Sequence, residues 1–266
     1  MSIIRLGTNY LYGIVHCRCI MRGALKNNFT RVLNNYLDEL FGLRIQPSPE
    51  NRLNKSRKNI LQKLKVENIL DVGANNGQWA LRVRESGFED NITSFEPTNA
   101  FEILKKNTLR DSNWKCVNMA VSNHTGESRI YLASNGNLSS SILQPDEILT
   151  QGFGIEFNES IKVPTTTLDE YLSNSQIEEF YLKIDVQGAE KLVLEGVENS
   201  LSKCVAVEFE SSLRSLYKGE SNHYDLAKWL IQKGFTSYQV VITHWDSSMA
   251  TISLDSIFIR NIGRKI

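Results

Sequence analysis

Residues 68–85 place the tightest constraint on this chain, because they read as a strand, a glycine turn and a helix in immediate succession. Asn68-Ile69-Leu70-Asp71-Val72 is a short apolar run, Gly73 and Gly77 bracket the turn, and Trp79, Ala80 and Val83 follow at helical spacing before Gly87. Glycine removes the Cβ where the chain must turn tightly or a ligand must approach the backbone. The helix that follows points its free amides back at the turn. The same unit then recurs. Apolar runs predict strands over 68–72, 92–95, 115–121, 180–184, 205–209, 236–242 and 251–259. Helices are predicted through Phe101 and Leu104, through Leu192, Val193 and Val197, and over 225–233, where Gly234 stops the last one. Such alternation implies an α/β fold, a mostly parallel seven-stranded sheet covered on both faces, with an antiparallel last strand from the closing hairpin.

Two stretches stand outside this rhythm. From Leu25 to Phe41 the residues Phe29, Val32, Leu33, Tyr36, Leu37 and Leu40 form one amphipathic stripe, broken by Pro47 and Pro49, and a basic helix over 54–64 leads inward. We read 1–60 as an N-terminal helical extension and 61–266 as the main domain. The stretch 134–166, with Gly136, Ser139, Ser140, Ser141, Gly152 and Gly154, reads as a long connection at the mouth of the sheet. Long connections of this kind carry function.

The 30 basic and 30 acidic residues cancel, so no global field favours nucleic acid. The balance is uneven, however: residues 1–66 hold twelve Lys/Arg and three acids, a net of +9 that leaves −9 to the rest. A solvated helical face is the ordinary use of such charge; peripheral contact with an anionic membrane is the other. Cys116 and Cys204 read as small core residues, and Cys17 and Cys19 lack the second pair that zinc requires. Free thiols suit a cytoplasmic location. The apolar run at 6–15 is too short to span a membrane. Nothing in the chain specifies an oligomeric state.

Glu96, at the end of the second strand in Phe95-Glu96-Pro97, is placed to accept both hydroxyl protons of an adenosine ribose, with Pro97 fixing the backbone after it. The turn lacks the middle glycine of a pyrophosphate-binding motif; Asn75 stands there, and Asp71 would repel phosphate. An acid at that position suits a cationic ligand such as S-adenosylmethionine.

In order along the chain, Ile69-Leu70-Asp71-Val72-Gly73-Ala74-Asn75-Asn76-Gly77, Phe95-Glu96-Pro97, Asn118-Met119-Ala120-Val121, Thr167-Leu168-Asp169 and Leu182-Lys183-Ile184-Asp185-Val186-Gln187-Gly188-Ala189-Glu190 resemble the FkbM-type methyltransferases, over roughly 66–209. The resemblance implies a class I, Rossmann-like methyltransferase fold and O-methylation of sugars or polyketide-type products. It implies that Asp71, Gly73, Ala74, Asn75 and Gly77 cradle the methionine part of S-adenosylmethionine, that Glu96 and Pro97 hold the ribose, and that Ala120 and Val121 lie near the adenine. Gln187 is a departure, since many relatives carry Glu there.

A hydroxyl acceptor needs a base or a metal. Asp185, ending the fourth strand, is the leading candidate base; capping of the next helix is its ordinary alternative. Lys183 shares its side of the strand and suits an ion pair or a substrate contact. His223 is a second candidate base, although capping is commoner for a histidine there. Glu208 and Glu210, two apart on the fifth strand, could join Asp185 in an all-oxygen Mg²⁺ site. Tyr238 and Trp245 could wall a sugar face or pack in the core. Three uses remain open: O-methylation of a small-molecule or glycan hydroxyl, O- or N-methylation of a non-sugar small molecule, and a silent binding module.

Overall fold

The computed structural model describes residues 32–35, 37–38, 48–245 and 248–261. By compactness the chain divides between Ser48 and Pro49. Of the earlier part, 32–35 and 37–38 are helical, in keeping with the predicted amphipathic helix; its Phe29, Tyr36 and Leu40, like Cys17 and Cys19, lie outside the described residues.

The unit from Pro49 onward is built on one sheet of seven strands. These are β1 (Asn68–Val72), β2 (Asn91–Phe95), β3 (Trp114–Val117), β7 (Phe180–Ile184), β8 (Cys204–Ser212), β9 (Phe235–Trp245) and β10 (Thr251–Arg260), in the spatial order β3-β2-β1-β7-β8-β10-β9. The strands from β3 to β8 run parallel, and β10 inserts antiparallel between β8 and β9. The order reverses between β1 and β7, the switch point at which open α/β sheets bind ligands.

Alternation along each strand sorts two cores. Leu70, Val72, Leu182, Ile184, Val207 and Phe209 face one way, against α4 (Leu168–Ser173), α5 (Glu190–Glu195) and α6 (His223–Gln232). Ile69, Ile92, Tyr181 and Ile257 face the other, against α1 (Pro49–Leu64), α2 (Gln78–Glu85) and α3 (Phe101–Thr108). Helix α1 buries Leu53, Ile60, Leu61 and Leu64. A boundary at residue 60 therefore falls inside a helix whose apolar stripe belongs to the sheet's own core, and the compact unit starts at Pro49 instead. Cys204 is buried and Cys116 half-buried, both free thiols. Among the described residues no helix is long and apolar enough to cross a membrane.

The predicted strand over 115–121 is in fact two. β3 ends at Val117, and β4 (Ala120–Val121) leaves the main sheet for a second one, of order β4-β6-β5. Its other strands, β5 (Gly126–Leu132) and β6 (Glu159–Thr166), pair antiparallel. Asn118 marks the departure, its side-chain amide donating to Glu96 O at 2.9 Å. Ala120, Ile130 and Val163 form a small apolar cluster of their own. The long connection is thus bounded by strands and spans 133–158.

Candidate active site

The carboxyl ends of β1, β2 and β7 open onto a cavity of about 290 Å³. Gly73 N and Ala74 N both donate to Phe95 O, at 3.1 and 3.0 Å, so the turn after β1 is fastened to the end of β2. Gly73 has φ +78°, and a Cβ built there would lie 1.8 Å from Asp185 O. Backbone meets backbone at this point, and Asp185 N completes the join by donating to Val72 O at 2.9 Å. Gly77, at φ +86°, serves packing: a Cβ there would meet the Trp114 ring at 2.9 Å.

The amides of this turn are all spent internally. Besides Gly73 and Ala74, Gly77 N donates to Ala74 O at 2.8 Å. Asn75 N donates to Glu96 Oε2 at 2.8 Å, and Asn76 N to Asn75 Oδ1 at 2.7 Å. A pyrophosphate would find no free backbone donors in residues 73–77, where a dinucleotide-binding turn presents them.

Glu96 is only 5% exposed, yet it lines the cavity. Its Oε1 accepts from Thr98 N at 2.8 Å and Thr98 Oγ1 at 2.6 Å. With Asn75 N on Oε2, three of roughly four lone-pair sites are taken. Of the two ribose hydroxyls expected at Glu96, this arrangement leaves room for one, on Oε2 beside Asn75 N. Pro97, Ala74 and Asn75 also line the cavity, as do Ala120 and Val121, whose apolar wall continues into Ile130.

Asp71 lies elsewhere. It is fully buried beneath the turn and does not line the cavity. Its Oδ2 accepts from Ser94 Oγ at 2.8 Å, and its Oδ1 has no partner. Burial raises its pKa above the usual carboxylate range, against the pull of Lys183. Direct contact with a ligand is thereby replaced by support from below.

Asp185 faces the cavity with its side chain 34% exposed. Lys183 Nζ donates to Oδ2 at 3.1 Å and Gln187 Nε2 to Oδ1 at 2.8 Å. Gln187 therefore acts as a donor, which a glutamate in its place could not be when ionised. Tyr217 packs its ring where a Cβ on Gly188 would sit, at 2.7 Å. Its hydroxyl donates to Ser139 O at 2.8 Å, tying the long connection to this turn. Asn137, Leu138, Ser140 and Ser141 of that connection line the cavity, as its expected position at the mouth requires.

The three-carboxylate metal site does not form. Glu208 is buried and receives Arg57 Nε on Oε2 at 2.7 Å and Arg57 Nη2 on Oε1 at 2.5 Å. Tyr181 OH at 2.5 Å and Trp79 Nε1 at 3.1 Å complete its shell. Burial works against this charge, but Arg57 wins and holds the carboxyl below its ordinary pKa. Four donors on one carboxylate leave it no capacity for Mg²⁺. Glu210 accepts from Ser253 Oγ at 3.0 Å and from Gln187 Nε2 at 3.5 Å, with His244 Nδ1 3.5 Å from its Oε1. Among the described residues no cluster of His, Cys, Asp and Glu could hold a metal ion.

His223 is likewise outside the cavity. It opens α6, 8% exposed, on the opposite face of the sheet from Glu208, with its Nδ1 2.9 Å from Ser211 Oγ and its ring stacked on Phe209. Burial lowers its pKa. Asn222 supplies the cap instead, accepting from Tyr224 N at 2.9 Å. Tyr238 packs against the core, whereas Trp245 is largely exposed.

The sequence pattern gave no sign of Gln78, Trp79 and Arg82, which share one face of α2 and line the cavity. Glu190, which closes the motif 182–190, is buried and accepts from Val186 N at 3.1 Å and Gly188 N at 3.2 Å. Burial pushes its carboxyl up to about 8 from 4.5. The folded state then holds a proton that the unfolded chain releases, so this group makes stability fall as pH rises from about 4.5 to about 8. Glu190→Gln keeps an acceptor for both amides and is expected to flatten that decline in thermal melts. Glu190→Ala strands both amides and is expected to cost about 2–3 kcal/mol. Equal stability of the two variants would remove this role.

The curated 2-O-methyltransferase NoeI of Sinorhizobium fredii (strain NBRC 101917 / NGR234) is 31% identical over 161 residues, 57% of this chain and 66% of that protein. The chain thus spans just under two thirds of that relative's length. Solved structures of similar course include an rRNA methylase from Streptococcus thermophilus, with a TM-score of 0.47, 12% identity and coverage of 81% of this chain and 98% of that one. The N-methyltransferase NodS of Bradyrhizobium japonicum WM9, in complex with S-adenosyl-L-homocysteine, gives a TM-score of 0.44, 11% identity and coverage of 81% and 89%. The model of the methyltransferase FkbM domain matches residues 71–237, from within β1 into β9. That is more than half of the chain, and the protein belongs to the FkbM methyltransferase family.

Proposed function

We propose that this chain is an S-adenosylmethionine-dependent O-methyltransferase whose acceptor is a hydroxyl of a sugar, in a glycan, glycolipid or glycosylated metabolite. The observation that carries this reading is one cavity holding both Glu96 and a partly exposed Asp185, across a turn whose amides are unavailable to phosphate. The residues fit the cofactor. Glu96 offers Oε2 to a ribose hydroxyl, and Ala120, Val121 and Ile130 offer apolar surface to a purine. The family, and a relative named as a 2-O-methyltransferase, support oxygen as the acceptor atom.

When bound, S-adenosylmethionine supplies an electrophilic methyl group. The chain orients the acceptor and removes a proton. Positioning of this kind is worth roughly 7–11 kcal/mol of the barrier. Asp185 has two lone-pair sites left after Lys183 and Gln187, and it takes the proton that the acceptor hydroxyl gives up as its oxygen is methylated.

Calorimetry is expected to show micromolar binding of S-adenosylhomocysteine and none of NAD; the reverse would sink the reading. Glu96→Ala is expected to weaken S-adenosylhomocysteine about 10- to 100-fold, the loss of one charge-assisted hydrogen bond. Undiminished affinity would refute the ribose assignment. Mass spectrometry of glycans from cells with and without the protein then identifies the acceptor.

A further inference from the structure

Lys183 is not used up by the structure around it. Ser94, Asp71, Lys183 and Glu208 stand in register on four adjacent strands, so their side chains share one face of the sheet. Glu208 is closed by Arg57, Tyr181 and Trp79, and Asp71 is bonded to Ser94. Lys183 lies between them with its side chain 8% exposed. An ammonium has three donors. Among the described residues it gives one hydrogen bond, to Asp185 Oδ2 at 3.1 Å. Burial works against its charge, but Asp185 and Asp71 keep the pKa above the ordinary lysine value. Lys183 is therefore a hydrogen-bond donor at neutral pH and no base. Buried donors without acceptors are costly, and the surface that Lys183 still exposes belongs to the cavity wall.

Asp185 is the complement. Its two bonds leave two acceptor sites, and it too lines the cavity. The cavity thus presents one fixed donor and one fixed acceptor, a hydrogen-bond length apart. A vicinal diol has the matching pattern, because the oxygens of neighbouring gauche hydroxyls on a sugar ring are also about a hydrogen-bond length apart.

We propose that Lys183 and Asp185 form a clamp for a vicinal diol. One hydroxyl gives its proton to Asp185 and receives the methyl group, while the oxygen of its neighbour accepts from Lys183. The acceptor is then a sugar whose methylated position has a free hydroxyl beside it. This rests on the methyl-transfer reading and narrows it.

The test uses the full chain, S-adenosylmethionine and a panel of methyl pyranosides with simple monohydric alcohols alongside. Product position is read by NMR. Any glycoside turned over is compared with its counterpart in which the neighbouring hydroxyl is replaced by hydrogen. The deoxy compound is expected to have a kcat/KM about 10- to 150-fold lower, and Lys183→Met to erase that preference while leaving S-adenosylhomocysteine affinity within about threefold. The deoxy comparison on the wild-type protein stands even if Lys183→Met fails to fold, and Lys183→Arg retains the charge as a second variant. Equal turnover of diol and deoxy compound overturns the clamp. So does loss of S-adenosylhomocysteine binding in a folded Lys183→Met, which would assign the ammonium to the cofactor's carboxylate. If the wild type binds S-adenosylhomocysteine but methylates only monohydric alcohols, or no glycoside at all, the clamp falls and methyl transfer stands. If it does not bind S-adenosylhomocysteine, the methyl-transfer reading itself has failed.

Discussion

Asp185→Asn is expected to lower kcat by about 10³-fold or more while shifting S-adenosylhomocysteine affinity less than about threefold. The two carboxylate oxygens have different tasks, which makes this a clean substitution. An amide oxygen in the Oδ2 position still accepts from Lys183, at 3.1 Å in the native protein. The amide nitrogen would face Gln187 Nε2, now 2.8 Å from Oδ1. Gln187 answers by turning its own amide over, so that its Nε2 faces the Tyr217 hydroxyl, now 3.4 Å from its Oε1, and gives up its 3.5 Å contact with Glu210 Oε2. Packing is kept and the proton acceptor is lost. Single-turnover measurements separate that loss from product release, and retention of a tenth of native turnover would reduce Asp185 to a structural residue.

Arg57→Ala carries the largest expected loss of stability, about 3–5 kcal/mol, because it leaves the Glu208 charge buried and uncompensated. Arg57 reaches Glu208 from α1 through two hydrogen bonds and also lies over the Trp79 ring, 4.9 Å from its centroid. Only Tyr181 and Trp79 would remain on the carboxylate. At this chain length the loss corresponds to a fall of roughly 10 °C in melting temperature. Arg57→Met combined with Glu208→Gln removes both charges and is expected to recover most of it. The sign of the pH effect follows from the lowered pKa of Glu208. Its contribution is present above the ordinary 4.5 and is lost as pH falls through the lower folded value. The wild type should therefore lose stability in acid that the double variant does not have to lose. A double variant as unstable as Arg57→Ala would contradict this account.

The main sheet was legible because its strands are short, apolar and separated by turn signals; Leu70 and Val72 against Ile69 and Asp71 already divide the two faces. The small second sheet was not. In β5 and β6 the alternation is short, Ile130 with Leu132 and Ile161 with Val163 amid polar residues, and one face of the pair stays wet. The glycine turn, Glu96 and Asp185 could be placed from topology, since each ends a parallel strand. What sequence could not show was occupancy. Asp71, Glu208 and Glu96 are all acids in or just after parallel strands, and only their partners separate a buried support, a locked ion pair and a ligand contact. Arg57 and Tyr181, which decide the matter for Glu208, lie 151 and 27 residues from it in the chain.

The contact between Gly73 and the Asp185 carbonyl has a bearing on how acceptor range can change. Along that seam two main chains touch, so no substitution can widen the gap between donor side and acceptor side without displacing a strand. Leu138 and Ser140, by contrast, line the cavity from the connection between β5 and β6. Divergence toward bulkier or slimmer acceptors is therefore expected to accumulate in the connection between β5 and β6, with the seam itself remaining invariant.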